Sequence, residues 1–175
     1  AGNGTSLSSN SAYTVASGAV LSVNGTSQGI GSLAGAGTVQ NGHASTATTL
    51  TMGADNSSTT FSGTIQNGGA AALGITKNGT GTLTLSATNT YTGSTTLNAG
   101  TLAVSGNIAS SGLVINSGGI IAPGTSAAAD SFGTSSITIN GGGYNWTINT
   151  ASGSAGSGWD QITSTGALTS SGLMT

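Results

Sequence analysis

The chain has 175 residues, a formal net charge of −2 and only 2% charged side chains, against about 25% in an ordinary soluble domain. Lys77, Asp55, Asp130 and Asp160 are the whole charged inventory, and Glu, Arg and Cys are absent. One lysine cannot neutralise a phosphate backbone, which excludes nucleic acid as a partner. Without cysteine there is no disulfide framework.

Helix is disfavoured too, because Gly or a β-branched residue recurs every few positions. Disordered chains combine high net charge with few strand formers, the reverse of what is seen here. No apolar run approaches the ~18 residues of a membrane span, so no direct membrane insertion is expected.

The predicted elements are short strands, most with apolar side chains on one face and hydroxyls on the other. In chain order they are Val20–Val23, Thr49–Met52, Thr60–Ile65, Thr82–Leu85, Thr101–Val104, Leu113–Ile115, Ser136–Ile139 and Tyr144–Ile148. Asn24-Gly25, Asn41-Gly42, Asn67-Gly68 and Asn78-Gly79 separate several of them, and such pairs form turns because Asn and Gly tolerate positive φ. A sandwich or barrel would share these features. Scarce charge together with abundant Asn, Thr and Ser favours a parallel solenoid, in which like side chains stack at ~4.8 Å and amide or hydroxyl ladders form. At about 20 residues per coil, eight or nine coils and a length on the order of 40 Å are expected. Leu83, Leu85, Leu97, Leu102 and Val104 should point inward.

The middle of the chain carries a denser pattern. Phe61-Ser62-Gly63-Thr64-Ile65 is followed by Lys77-Asn78-Gly79-Thr80-Gly81-Thr82-Leu83-Thr84-Leu85. Then come Asn89-Thr90-Tyr91-Thr92-Gly93-Ser94-Thr95 and Gly100-Thr101-Leu102. Residues 59–104 thus resemble the autotransporter-associated β-strand repeat, also called the passenger-associated transport repeat. Farther on, Pro123-Gly124 resembles a family turn, and Trp146, Trp159 and Asp160 resemble the coils that follow it, over residues 121–168. The residue after the first Trp is often acidic in relatives and is Thr147 here, a departure that puts in doubt any salt bridge or ion site inherited from relatives. The resemblance implies an all-β, right-handed, single-stranded parallel β-helix. It also implies that residues 1–175 are one solenoid fragment of a larger secreted protein, in keeping with ends that read as an excised piece.

Chemistry-bearing residues are few. The aspartates are scattered, which disfavours the carboxylate pair of a polysaccharide-cleaving enzyme, and one His without Cys cannot close a transition-metal shell. No catalytic residue, cofactor or metal is therefore expected. His43 reads as a solvated loop residue, and Lys77 as a stem lying on the coil with its ammonium in water. Phe61, Tyr91 and Trp146 read as packing, while Tyr13 and Trp159 are left open as sugar-stacking platforms.

The function expected is a structural stalk of a bacterial surface passenger, associated with the outer membrane, that supports adhesion or self-association and assists secretion and folding. The alternative is an adhesin module recognising a cell-surface glycan or another surface. Ice binding ranks lower: it needs Thr-x-Thr on one face in successive coils, and Thr49/Thr51 and Thr82/Thr84 are the matching pairs. The partners expected are the neighbouring coils of the same chain, a second copy, or a glycan.

Overall fold

A strand with one apolar edge needs a ladder neighbour on each side and a core beneath it. The computed structural model describes residues 6–108, 112–124, 131–145 and 160–171, and there the chain meets that need by winding into stacked coils of three strands. The first coil holds β1 (Ala12–Val15), β2 (Val20–Ser22) and β3 (Gln28–Gly29). The second holds β4 (Ser32–Gly35), β5 (Thr38–Gln40) and β6 (Thr48–Met52). The third holds β7 (Thr59–Phe61), β8 (Thr64–Gln66) and β9 (Leu73–Lys77), and the fourth β10 (Thr82–Leu85), β11 (Thr88–Asn89) and β12 (Thr95–Leu97). Then come β13 (Gly100–Val104), β14 (Asn107–Ile108) and β15 (Leu113–Asn116), followed by β16 (Gly119–Pro123), β17 (Ser131–Thr134) and β18 (Ile137–Asn140). The last set is β19 (Gly143–Tyr144), β20 (Gln161–Ser164) and β21 (Leu168–Ser170).

Every named ladder is parallel and joins a strand to the one three places along. The first face is a seven-stranded sheet running from β1 to β19, and the third face is a seven-stranded sheet running from β3 to β21. The second face is broken into β2-β5-β8, β11-β14 and β17-β20. The fold is a parallel β-solenoid with no helix among the described residues.

Two expectations need correction. The strands stack seven deep, so the solenoid is shorter than anticipated, roughly 30 Å at ~4.8 Å per step. The cause is coil length: equivalent asparagines on successive coils are separated by 20, 18 and 24 residues, and the next step, from Asn140 to Ser171, takes 31. Thr60–Ile65 is also not one strand but two, β7 and β8, parted at Ser62-Gly63. A Cβ on Gly63 would strike the Gly37 carbonyl of the coil below, so only glycine lets the chain turn there. Of Tyr144–Ile148, only Tyr144 lies in β19, and residues 146–150 fall outside the described set.

Inward columns follow from register. Phe61 stacks on Leu85 and Leu85 on Val104, while Leu83 stacks on Leu102 and Leu102 on Ile121. Leu83, Leu85, Leu97, Leu102 and Val104 are all buried as expected.

Candidate functional site

Three polar side chains occupy inward positions of the third face, Thr48 in register with Leu73, and Thr95 and Lys77 farther along. Thr95 stands between Ile75 and Leu113, and Lys77 between Met52 and Leu97. Thr95 is satisfied by Tyr91, whose phenol oxygen lies 2.7 Å from the Thr95 hydroxyl with both residues fully buried. Burial pushes the Tyr91 phenol pKa up, only partly offset by that hydroxyl.

Lys77 is 2% exposed, which overturns the expectation that its ammonium reaches water. Its place in the column turns the stem inward, and the stem is long enough to carry Nζ to the corner. There Nζ donates to Asn78 O at 2.7 Å and Gly79 O at 2.9 Å, and reaches Ala99 O on the next coil at 3.4 Å. Gly79, at φ 68°, turns this corner where a Cβ would strike the Gly53 carbonyl. Burial pushes the Lys77 pKa down, and the charge of Asp55 works the other way. Asp55 sits in the turn after β6, where the Ser32 hydroxyl and the Ser57 N–H hold its carboxyl below the usual carboxylate range.

Just past the end of β9 an asparagine ladder begins. Asn98 donates to Asn78 Oδ1 at 2.8 Å, Asn116 to Asn98 at 2.7 Å and Asn140 to Asn116 at 3.0 Å. The Ser171 hydroxyl then donates to Asn140 Oδ1 at 2.9 Å.

Two further asparagines, read from the sequence only as a turn former (Asn41) and a motif residue (Asn89), are fully buried. Asn41 Oδ1 accepts from Gly25 N, and its Nδ2 donates to Thr46 O, Ala71 O and Ala72 O. Asn89 Oδ1 accepts from Ile65 N, and its Nδ2 donates to Ala87 O and Asn107 O. Asn89 thereby joins three coils where the second-face ladder is interrupted between β8 and β11.

Most of the remaining motif positions among the described residues lie in the core or at close approaches between coils. Phe61, Ile65 and Tyr91 are core, and Pro123 is buried at the end of β16, ahead of Gly124. Gly81, Gly93 and Gly100 pass against carbonyls of Ser57, Leu73 and Gly79 on the coil below. Asp160 is buried immediately before β20. Burial, with the charge of Asp160, pushes the half-exposed Tyr144 phenol up to about 12. Phe132 is buried and Tyr13 packs against the core. Trp146, Trp159 and Asp130 lie outside the described residues.

His43 Nδ1 accepts from Ser45 N at 3.3 Å and Thr46 N at 3.0 Å in the loop before β6. No group of three His, Cys, Asp or Glu side chains with metal-binding geometry occurs among the described residues. The Thr-x-Thr pairs also part company: Thr49/Thr51 lie in β6 on the third face and Thr82/Thr84 in β10 on the first.

Coils locked by inward polar plugs and a corner amide ladder define a parallel β-solenoid repeat protein. Residues 75–104 match the family model of the passenger-associated-transport-repeat, so the chain carries an autotransporter passenger repeat. The match runs from Ile75 in β9 to Val104 at the end of β13 and includes Lys77, Gly79, Leu83, Tyr91 and Thr95. Phe61, Gly63 and Ile65 precede it, and Pro123 and Asp160 follow it. Neither a search of curated proteins nor one of solved structures finds a match.

Proposed function

We propose that this segment is a non-enzymatic stalk of an autotransporter passenger, presented at the bacterial outer surface, whose coils drive their own export by folding one upon another. The observation that carries the reading is that strands pair three places along in every named ladder. Each coil therefore needs only the one before it as a template, and its hydrogen bonds and burial accrue in steps. Few charges and no disulfide ease the passage of an unfolded chain through a pore. Homotypic association belongs to the same reading, since a nearly uncharged surface gives two copies little Coulomb repulsion.

The test is surface display. The segment is placed between an N-terminal epitope and an outer-membrane pore-forming barrel, and protease-accessible epitope is measured on whole cells. The wild-type segment should display the epitope. Replacement of Leu83 and Leu85 by Ser, which breaks the first-face column, should leave it stalled inside. Equal display by both would refute folding-driven export.

A further inference from the structure

Five Asn-Gly pairs fall within the described residues, beginning at Asn24, Asn41, Asn67, Asn78 and Asn140. In such a pair the glycine N follows the asparagine amide carbon with no side chain in the way, and ring closure between the two is the characteristic reaction of the dipeptide. How firmly the amide is held decides whether it occurs. Asn41 makes four hydrogen bonds through its amide. Asn67 Oδ1 accepts from Leu73 N and Thr92 N, and its Nδ2 donates to Thr92 Oγ1. Asn78 accepts from Asn98, and Asn140 is held in the same ladder between Asn116 and Ser171. Asn24 differs: it is exposed, and its amide makes no hydrogen bond among the described residues.

The fold asks for this reactive pair. Asn24 stands at φ 44° and Gly25 at φ 82°, and Thr26 N donates to Val23 O at 3.1 Å. A tight turn with two left-handed residues favours Asn followed by Gly. A Cβ on Gly25 would also lie 2.8 Å from His43 Cδ2, so packing against the second coil keeps glycine in place. The turn between β2 and β3 thus selects Asn-Gly and leaves the asparagine amide unheld.

We propose that Asn24 is a site of spontaneous modification, converted through a five-membered imide to aspartate and isoaspartate. Gly25 N, having lost its proton to a solvent base, attacks Asn24 Cγ. The new N–C bond forms, the Cγ–Nδ2 bond breaks, and ammonia leaves with a proton from solvent. Water then opens the imide at either carbonyl, so that one water is consumed and one ammonia released. Either product adds a negative charge to a chain whose net charge is −2. The isoaspartate branch also lengthens the main chain by one carbon inside the turn. That displaces Gly25 N from Asn41 Oδ1, its acceptor at 2.8 Å, and so reaches the buried asparagine of the next coil.

The test is an ageing series on the whole chain in neutral buffer, independent of the export assay. Peptide mapping by mass spectrometry follows digestion with an acid protease, at a pH where ring closure is arrested. Conversion raises the mass of a peptide by about one dalton. A parallel sample unfolded in urea should convert all five pairs at similar rates. A hydrogen bond that must break first lowers the reactive fraction, so in the folded chain Asn24 should convert at least several-fold faster than the other four. Asn24→Gly, which keeps the positive φ, should retain on ageing the urea midpoint that wild type loses. The proposal is overturned if Asn24 survives in the folded chain, if any of the other four converts as fast, or if ageing lowers the two midpoints equally.

Discussion

Lys77 shows how far a single residue can be read without its surroundings. Leu73–Lys77 was not among the runs read as strands, and it is the alternation of β9 that turns residue 77 inward with Leu73 and Ile75. A lysine in such a place is ordinarily read as a stem with a solvated head. Its acceptors, Asn78 O, Gly79 O and Ala99 O, are backbone atoms, and no side-chain pattern announces them. The burial of Asn41 and Asn89 is hidden for the same reason, since all their partners are backbone carbonyls and amides, five of the seven on other coils.

Lys77→Met should lower stability at neutral pH by about 1–3 kcal/mol, because corner carbonyls lose their donor. The pH dependence follows from the depressed pKa. Just below the ordinary lysine value of 10.5 the unfolded chain still holds a proton that the folded chain has released, so stability from this group rises with pH through that window. The phenols of buried Tyr91 and half-exposed Tyr144, both with raised pKa, act oppositely at higher pH, but wild type and variant share them. Urea unfolding should therefore show the gap between wild type and Lys77→Met widening as pH climbs towards 10. A constant gap would mean that Lys77 is not buried as described.

At the scale of the element, the runs with clear alternation were legible as strands, whereas short or Gly-interrupted ones, β9 and β12 among them, were not, and boundaries were less legible still. The single run Thr60–Ile65 hides a corner because Ser62-Gly63 keeps the two-residue alternation intact across the bend, with Phe61, Gly63 and Ile65 all buried. The asparagine ladder leaves a trace in the sequence: Leu97-Asn98, Ile115-Asn116 and Ile139-Asn140 each place Asn directly after an apolar strand residue. Which asparagine meets which depends on coil lengths that vary from 18 to 31 residues. Loop lengths of that kind do not follow from strand alternation. Asn98 both donates to Asn78 and accepts from Asn116, so Asn98→Ala removes two amide contacts, at about 0.5–1.5 kcal/mol each. Thr101→Ala, on the outward side of β13, should stay within ~0.5 kcal/mol of wild type. Chemical denaturation separates the two, and equal effects would show that the ladder contributes no more than an ordinary surface position.

For the whole molecule, the coil is the unit of construction, and stability in such an array approximates a sum of coil and interface contributions. Thr82 stacks on Thr101 and Leu83 on Leu102, so excision of residues 82–100 joins Gly81 to Thr101 with the register kept. Thr101 would keep a glycine before it, and Leu102 would take the place of Leu83 over Thr59. Tyr91 and Thr95 leave together, and Asn116 would come to stand over Asn78 in the ladder. Excision of residues 82–91 removes only part of the coil, strands β10 and β11, and leaves β12 with no strand of the first face in its turn. The measurement is far-UV circular dichroism with urea unfolding on both deletions beside wild type. A solenoid assembled coil by coil predicts a β spectrum and one cooperative transition, at a lower midpoint, for the whole-coil excision, and loss of cooperative folding for the partial one. Equal loss of structure in both, or equal retention, would contradict the account.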